Sequence, residues 1–197
     1  MKVELIRHGD TDLMAEHRYQ GITDAHLTEE GREKLLPSAR KIQLLIVTGL
    51  ARSQETAKRI FPGIEQHIVE ELGEMNFGIF EGRNFIEMEN DEAYRSWVER
   101  GCLSQCPGGE SKAEFCERIC KAFTALLDQA QADAIEEIAI VAHGGTQMAV
   151  MEAFCKEEEK PFYEWQQKSG CGYLLEAESW QEKREVRILE LTDYNRG

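Results

Sequence analysis

Val3-Glu4-Leu5-Ile6-Arg7-His8-Gly9-Asp10-Thr11 is a short apolar run that ends abruptly in an arginine, a histidine and a glycine. Val3, Leu5 and Ile6 have the character of a buried strand, and Gly9 allows the backbone to turn close to whatever His8 touches. In open α/β sheets, ligands bind beyond the carboxyl ends of the strands, so Arg7 and His8 stand where a site is expected. Taken alone, they are equally compatible with an arginine paired to a surface carboxylate and a histidine satisfied at a strand end.

The pattern returns further along the chain. Ile138-Ala139-Ile140-Val141-Ala142 is a second apolar run, ending in His143-Gly144-Gly145 before an apolar-periodic segment from Met148 to Phe154. A third run, Leu44-Leu45-Ile46-Val47, leads through Thr48 and Gly49 to Arg52, near the start of a helical stretch from Ser53 to Ile60. Three parallel strand tips therefore offer His8, His143, Arg7 and Arg52. Two histidines and two arginines without cysteine or carboxylate partners suggest an anion site rather than a metal site, because the planar guanidinium suits phosphate.

These segments, together with Gln20-Gly21, Asp24, Leu27-Thr28-x-x-Gly31, Arg52-x-x-x-Thr56-Ala57, Glu74-x-x-x-Gly78, Glu81-Gly82 and Pro107-Gly108-Gly109-Glu110-Ser111, resemble the histidine phosphatase superfamily in its phosphoglycerate mutase-like branch. The order and spacing match along nearly the whole chain, and the stretch from Phe77 to Ser111 looks most like α-ribazole phosphatases and broad phosphatases. The resemblance implies an α/β fold: a single, mostly parallel central sheet flanked by helices, with a helical cap insertion at 83–110 and one domain over 1–197. It also implies His8 as nucleophile, Glu74 as acid, and Arg7, Arg52 and His143 as phosphate ligands. Gln20, Thr11 and Gly144 fall at substrate-binding positions. One departure is Met14, where the family usually has an asparagine near the phosphate. Either that loop is reorganised or one phosphate donor is lost.

The 197 residues suit one α/β domain with a sizeable core. A hydrophobic fraction of 42% and a charged fraction of 30% describe a globular chain. No run approaches the roughly 18 apolar residues of a membrane span, and no basic-then-apolar leader precedes the first strand, so a cytoplasmic protein with no membrane partner is expected. A net charge of −14 argues against nucleic acid but allows a small-molecule phosphate ester in a locally basic pocket. The six cysteines lack zinc-site spacing and are expected to be reduced, mostly buried residues. Neither a metal nor a cofactor is expected, and oligomeric state is left open.

Along the chain, Asp12 to His26 is expected to form an active-site loop carrying Arg18, Gln20 and His26. Thr28 should cap a helix from Glu29 to Leu36 that Pro37 ends. Glu65 to Leu72 has strand character. In the acidic insertion a helix is expected around Phe85 to Val98, with Tyr94 and Trp97 either packing or contacting substrate. Glu81 is expected to bond backbone amides in the turn. Ser111 and Glu114 form a capping box for a helix reaching about Gln129. Pro161 to Trp165 suggests a short helix; Gly172–Glu178 and Glu185–Leu191 suggest strands joined by a polar turn.

Hydrolysis of a phosphate monoester through such a site would proceed by a phosphohistidine on His8, dividing one difficult displacement into two. The arginines would favour the neutral imidazole that attack requires. Glu74 would protonate the leaving oxygen and then activate water. An ordinary glutamate pKa of about 4.3 leaves on the order of one in 500 molecules protonated at neutral pH, so the site should raise it. A metal-independent phosphomonoesterase acting on a small metabolite, α-ribazole phosphate being one candidate, is thus the leading expectation. A phosphoglycerate mutase and a non-catalytic phosphate-binding regulatory module are the alternatives.

Overall fold

The computed structural model describes residues 1–157 and 159–196. In chain order the elements are β1 (Lys2–Arg7), α1 (Asp12–Ala15), α2 (Glu29–Lys34), β2 (Leu44–Val47), α3 (Ala51–Ile60), β3 (Gln66–Ile68), α4 (Glu92–Glu99), α5 (Lys112–Ala132), β4 (Glu137–Ala142), α6 (Gly144–Phe154), β5 (Cys171–Glu176), α7 (Trp180–Lys183) and β6 (Arg187–Asp193). The six strands form one sheet in the order β3-β2-β4-β1-β5-β6. The pairs β3–β2, β2–β4 and β4–β1 are parallel, whereas β5 runs antiparallel to both its neighbours. A mixed, mostly parallel sheet flanked by helices is thus the architecture.

The central strands are apolar along their whole length because both faces are covered. Val3, Leu5, Ile46, Ile138 and Ile140 point into a core shared with Phe115, Ile119 and Phe123 of α5 and with α6. Ile6, Leu45, Val47, Ala139 and Val141 face the opposite side, against Ala57 and Ile60 of α3. This alternation fixes the register, since a one-residue slip would exchange the two faces. Arg7 consequently lies opposite Ala142, and Val47 opposite Val141, so the tips of β1, β4 and β2 are side by side.

Several element boundaries differ from those the sequence suggests. Helix α2 ends at Lys34 rather than Leu36, and Leu35 is already extended where the chain bridges to Asn195 and Leu36 donates to the Tyr194 carbonyl. The stretch expected as a strand over Glu65–Leu72 pairs with β2 only over Gln66–Ile68 and then tightens into a 3-10 turn at Glu70–Leu72. In the insertion, regular helix begins at Glu92 rather than near Phe85. The Asp91 side chain accepts from the amides of Ala93 and Tyr94 and sets that start, while Phe85 and Ile86 are exposed. The strands expected at 172–178 and 185–191 are Cys171–Glu176 and Arg187–Asp193. Between them is the short helix α7, whose Trp180 is fully buried against Phe123 and Phe154 and donates to Asp128 at 2.9 Å. The capping box at Ser111 and Glu114 is present, and α5 runs on to Ala132.

One buried charge lies on β1 away from the strand tips. Glu4 is inaccessible to solvent; Tyr194 donates its hydroxyl to Oε1 at 2.6 Å, and the Arg40 Nε is 3.6 Å from Oε2. Burial raises its pKa, and the opposing effects of Tyr194 and Arg40 do not cancel that rise. A carboxyl whose folded pKa lies above its unfolded value binds more protons in the folded state. Its contribution to stability is therefore greatest below the unfolded pKa and is lost as pH rises through the folded one. Glu4→Gln, which keeps an acceptor for Tyr194, should gain in chemical-denaturation midpoint relative to the native protein as pH rises above the unfolded glutamate pKa of about 4.3. Parallel pH profiles would contradict this.

Candidate active site

His8 follows β1, and its backbone amide donates to the Ala142 carbonyl at 3.0 Å, extending the β1–β4 ladder by one residue. Its Nδ1 is 2.7 Å from the carbonyl oxygen of Gly9. A carbonyl can only accept, so Nδ1 carries the proton and Nε2 presents a lone pair. The Gly9 peptide is itself fixed: its N–H donates to Thr56 Oγ1 at 2.9 Å, and that hydroxyl donates to the Arg52 carbonyl at 2.6 Å. Burial, then the charges of Arg52 and Arg7, holds the His8 pKa well below the ordinary imidazole value. The ring is thus a neutral base.

His143 follows β4 and is fully buried, its ring centroid 5.3 Å from that of His8 in an edge-on arrangement. Its Nε2 and the Thr48 hydroxyl are 3.0 Å apart, whereas its Nδ1 has no protein partner. Burial, then the charge of Arg52, also pushes its pKa well down. His143 serves as the N-cap residue of α6, so Gly144 opens that helix.

Arg52 is fully buried in the first turn of α3. Its guanidinium donates to the carbonyls of Thr23 and Gly21, each at 2.8 Å, and burial lowers its pKa to about 10, still charged at neutral pH. The loop supplying those carbonyls hangs from one carboxylate. Glu81 accepts from the amides of Gly21, Ile22, Thr23 and Phe77 and from the Thr23 hydroxyl, at 2.6–3.2 Å. A side chain at Gly21 has no room, because its Cβ would fall 1.8 Å from the Met75 oxygen. Arg7 donates from Nη1 to the Gln167 carbonyl at 2.9 Å, and burial lowers its pKa. Arg7 Nε, Arg52 Nε, Gln20 Nε2 and His143 Nδ1 are all buried nitrogens without a protein hydrogen bond. Leaving one such donor unmatched costs about 1–3 kcal/mol, so a group of them calls for an acceptor-rich ligand.

Glu74 reaches the site from the segment after the 3-10 turn. Its Oε1 accepts from the Met75 amide and its Oε2 from the Gly145 amide, both at 2.9 Å. The carboxylate therefore sits at the N-terminus of α6, where a negative charge is favoured. Burial nevertheless dominates these bonds and the arginine charges, and the pKa is raised.

Beside Glu74 and Gly145 a cavity of about 360 Å³ opens, walled by Tyr19, Phe77, Trp97, Phe115, Phe162 and Tyr163. A larger groove of about 670 Å³ runs along α5, and neither histidine lines either one. Tyr94 packs behind the cavity wall, edge-on to Tyr19 and Phe80, whereas Trp97 both packs and faces the cavity.

The five residues expected to act together are brought together: the charges of Arg7 and Arg52 act on His8, His143 and Glu74 alike. Thr11 is buried as the N-cap of α1 and donates to Gln20 Oε1 at 2.7 Å, leaving the Gln20 amide nitrogen unpartnered. Met14 lies in α1 with its amide on Thr11 Oγ1 and does not line the cavity. Two of the loop residues fall outside the site. Arg18 pairs with Glu87 and Glu16 and donates to the Gly82 carbonyl, joining the loop to the insertion; His26 is exposed and pairs with Glu55. Asp24 accepts from the Ala51 amide at 2.7 Å at the start of α3. Thr48, Phe115, Phe162 and Gln166 belong to the site without a sequence signal that singles them out. No disulfide joins the six cysteines. Among the described residues, no group of three or more His, Cys, Asp or Glu side chains could hold a metal ion, and no helix is long and apolar enough to cross a membrane.

A six-stranded mixed sheet thus brings two buried histidines and two arginines to neighbouring strand tips, a cationic cluster of unpartnered nitrogens suited to an anion. The sequence profile of the histidine phosphatase superfamily (branch 1) matches residues 3–188, and the chain belongs to that family. It is 34% identical over 137 residues to the "Probable phosphoglycerate mutase GpmB" of Cronobacter sakazakii, a match that takes in 65% of this chain and 64% of that relative. The fold is like that of the α-ribazole phosphatase from Shigella flexneri, with a TM-score of 0.83 and 24% identity over all of this chain and 98% of that one. It is also like that of a phosphoglycerate mutase from Thermus thermophilus, with a TM-score of 0.67 and 27% identity over 95% and 97% of the two chains.

A Cβ at Gly145 would fall 2.0 Å from Glu74 Oε1. Gly145→Ala should therefore leave a folded protein, by circular dichroism, whose carboxylate is displaced, with phosphatase kcat/KM lowered about 10²-fold. Unchanged kcat/KM would show that the carboxylate's position does not matter.

Proposed function

We propose that the chain is a phosphomonoesterase that hydrolyses a small phosphorylated metabolite through a phosphohistidine at His8. The observation that carries this reading is the His8 tautomer: the Gly9 carbonyl holds the proton on Nδ1 and leaves Nε2 free to attack. In the first step Nε2 forms a bond to phosphorus as the ester P–O bond breaks, and Glu74 gives its proton to the departing oxygen. In the second step water attacks phosphorus, Glu74 takes the water proton, and the P–N bond breaks to release inorganic phosphate. The unpartnered nitrogens of Arg7, Arg52, Gln20 and His143 supply hydrogen bonds to the non-bridging oxygens, whose charge they stabilise best in the transition state. The Gly144 amide, at the start of α6, adds to the same positive field. The chemistry assigned to these side chains uses no metal or cofactor.

A raised Glu74 pKa suits the proton donor, and its burial beside the cavity supports a leaving group seated there. The cavity's aromatic walls favour an apolar or flat leaving group, which supports α-ribazole phosphate as a candidate substrate alongside the likeness to an α-ribazole phosphatase fold. The mutase reading has less support. Such an enzyme must retain a doubly phosphorylated intermediate, yet among the described residues Lys112 is the only cation lining the cavity and it is held 3.5 Å from Glu152.

Rapid quenching with labelled substrate should trap an acid-labile, base-stable phosphoenzyme that is absent from His8→Ala; label persisting in that variant would remove His8 from the nucleophile's role. Changing the leaving group isolates Glu74. Glu74→Gln should slow the product burst about 10²- to 10⁴-fold on alkyl phosphates. The loss should be far smaller on p-nitrophenyl phosphate, whose leaving anion needs no proton. Equal losses on both esters would exclude Glu74 as the acid.

A further inference from the structure

We infer that Arg118 and Glu110 form a positioning pair that holds the Glu74 segment in place for proton transfer. Arg118 projects from α5 and donates to the carbonyls of Glu71, Gly73 and Glu74 at 2.8, 3.1 and 3.2 Å. The same guanidinium makes a two-pronged pair with Glu110, both bonds at 2.8 Å. Glu110 continues the grip past Glu74: its Oε2 accepts from the Asn76 amide at 2.9 Å, and its own amide donates to the Asn76 carbonyl at 2.8 Å. The backbone is therefore held before, at and after Glu74 by one arginine and one glutamate.

A planar guanidinium with five donors can satisfy several carbonyls and a carboxylate at once, which an ammonium cannot. Burial raises the Glu110 pKa, but the bonds from Arg118 and Asn76 outweigh it and the net shift is downward, which favours the carboxylate. Neither residue lines the aromatic cavity. They act on Glu74 through its backbone, and its carboxylate reaches Met75 and Gly145 only while that backbone stays in register. The segment contains no regular helix or strand between Leu72 and Gly78 that would otherwise hold it. A displacement near 1 Å at a reacting group can cost about 10²-fold in rate.

This proposal rests on Glu74 being the proton donor, and the test separates the two. The product burst is measured on an alkyl phosphate and on p-nitrophenyl phosphate for the full-length protein and for Arg118→Ala, Arg118→Lys, Glu110→Gln and Glu74→Gln. Loss of Glu74 placement should slow the alkyl ester about 10- to 100-fold more than the nitrophenyl ester in Arg118→Ala. Arg118→Lys and Glu110→Gln should move that ratio in the same direction by less. A purely structural role would lower both rates together and leave the ratio at its native value, which overturns the proposal. If Arg118→Ala does not fold, the ratio in the two milder variants decides in the same way. A normal ratio in Glu74→Gln would instead show that the proton-donor reading itself is wrong, whereas a shifted ratio there with native ratios in the others would refute only the positioning pair.

Discussion

Parallel pairing of β1 with β4 in a single register is the constraint from which the site follows. With Arg7 opposite Ala142, the next residue on each strand is a histidine, and the two rings meet edge-on 5.3 Å apart. The register is held by apolar side chains buried on both faces, so the energy that fixes the histidine pair is the energy of the core. Because β2 lies on the other side of β4, Thr48 reaches the His143 ring and Arg52 enters from the first turn of α3.

Around this centre, cationic groups are positioned by backbone carbonyls rather than by acidic partners. Arg52 rests on carbonyls of the 20–23 loop, Arg7 on that of Gln167, and the loop itself on the Glu81 carboxylate. Carbonyl dipoles orient a guanidinium without neutralising it, so its full charge remains for an anion. In a chain of net charge −14 this separation matters: the nearby acids Glu81 and Glu110 are committed to amides and an arginine. Glu74, the carboxylate proposed as proton donor, is held at the site with its pKa raised by burial.

The strand tips were legible because a strand buried on both faces must be a continuous apolar run, and a polar residue at its end stands out. The role of Glu81 was legible too, through the turn chemistry of Glu81-Gly82. Elsewhere the pattern misleads for physical reasons. Composition cannot tell that Asp91 starts α4 while Glu87 is taken by Arg18, since both are acids in an acidic stretch. Trp180 sits in a polar turn by sequence yet fills the space between Phe123 and Phe154. Arg118 bonds mainly to carbonyls, which every residue has, so no motif announces it. Thr11 and Gln20 match site positions, but only the fold reveals that the hydroxyl of one orients the amide of the other.

The central claim is that His8 is kept neutral with its proton on Nδ1, so that Nε2 is ready to attack. Nitrogen-15 NMR of the imidazole rings in the ligand-free protein, with His8 assigned by comparison with His8→Gln, reads this state directly. The account predicts a neutral His8 ring protonated on Nδ1 that persists well below the ordinary imidazole pKa of about 6.5. A ring protonated on Nε2, or an imidazolium at neutral pH, would contradict it.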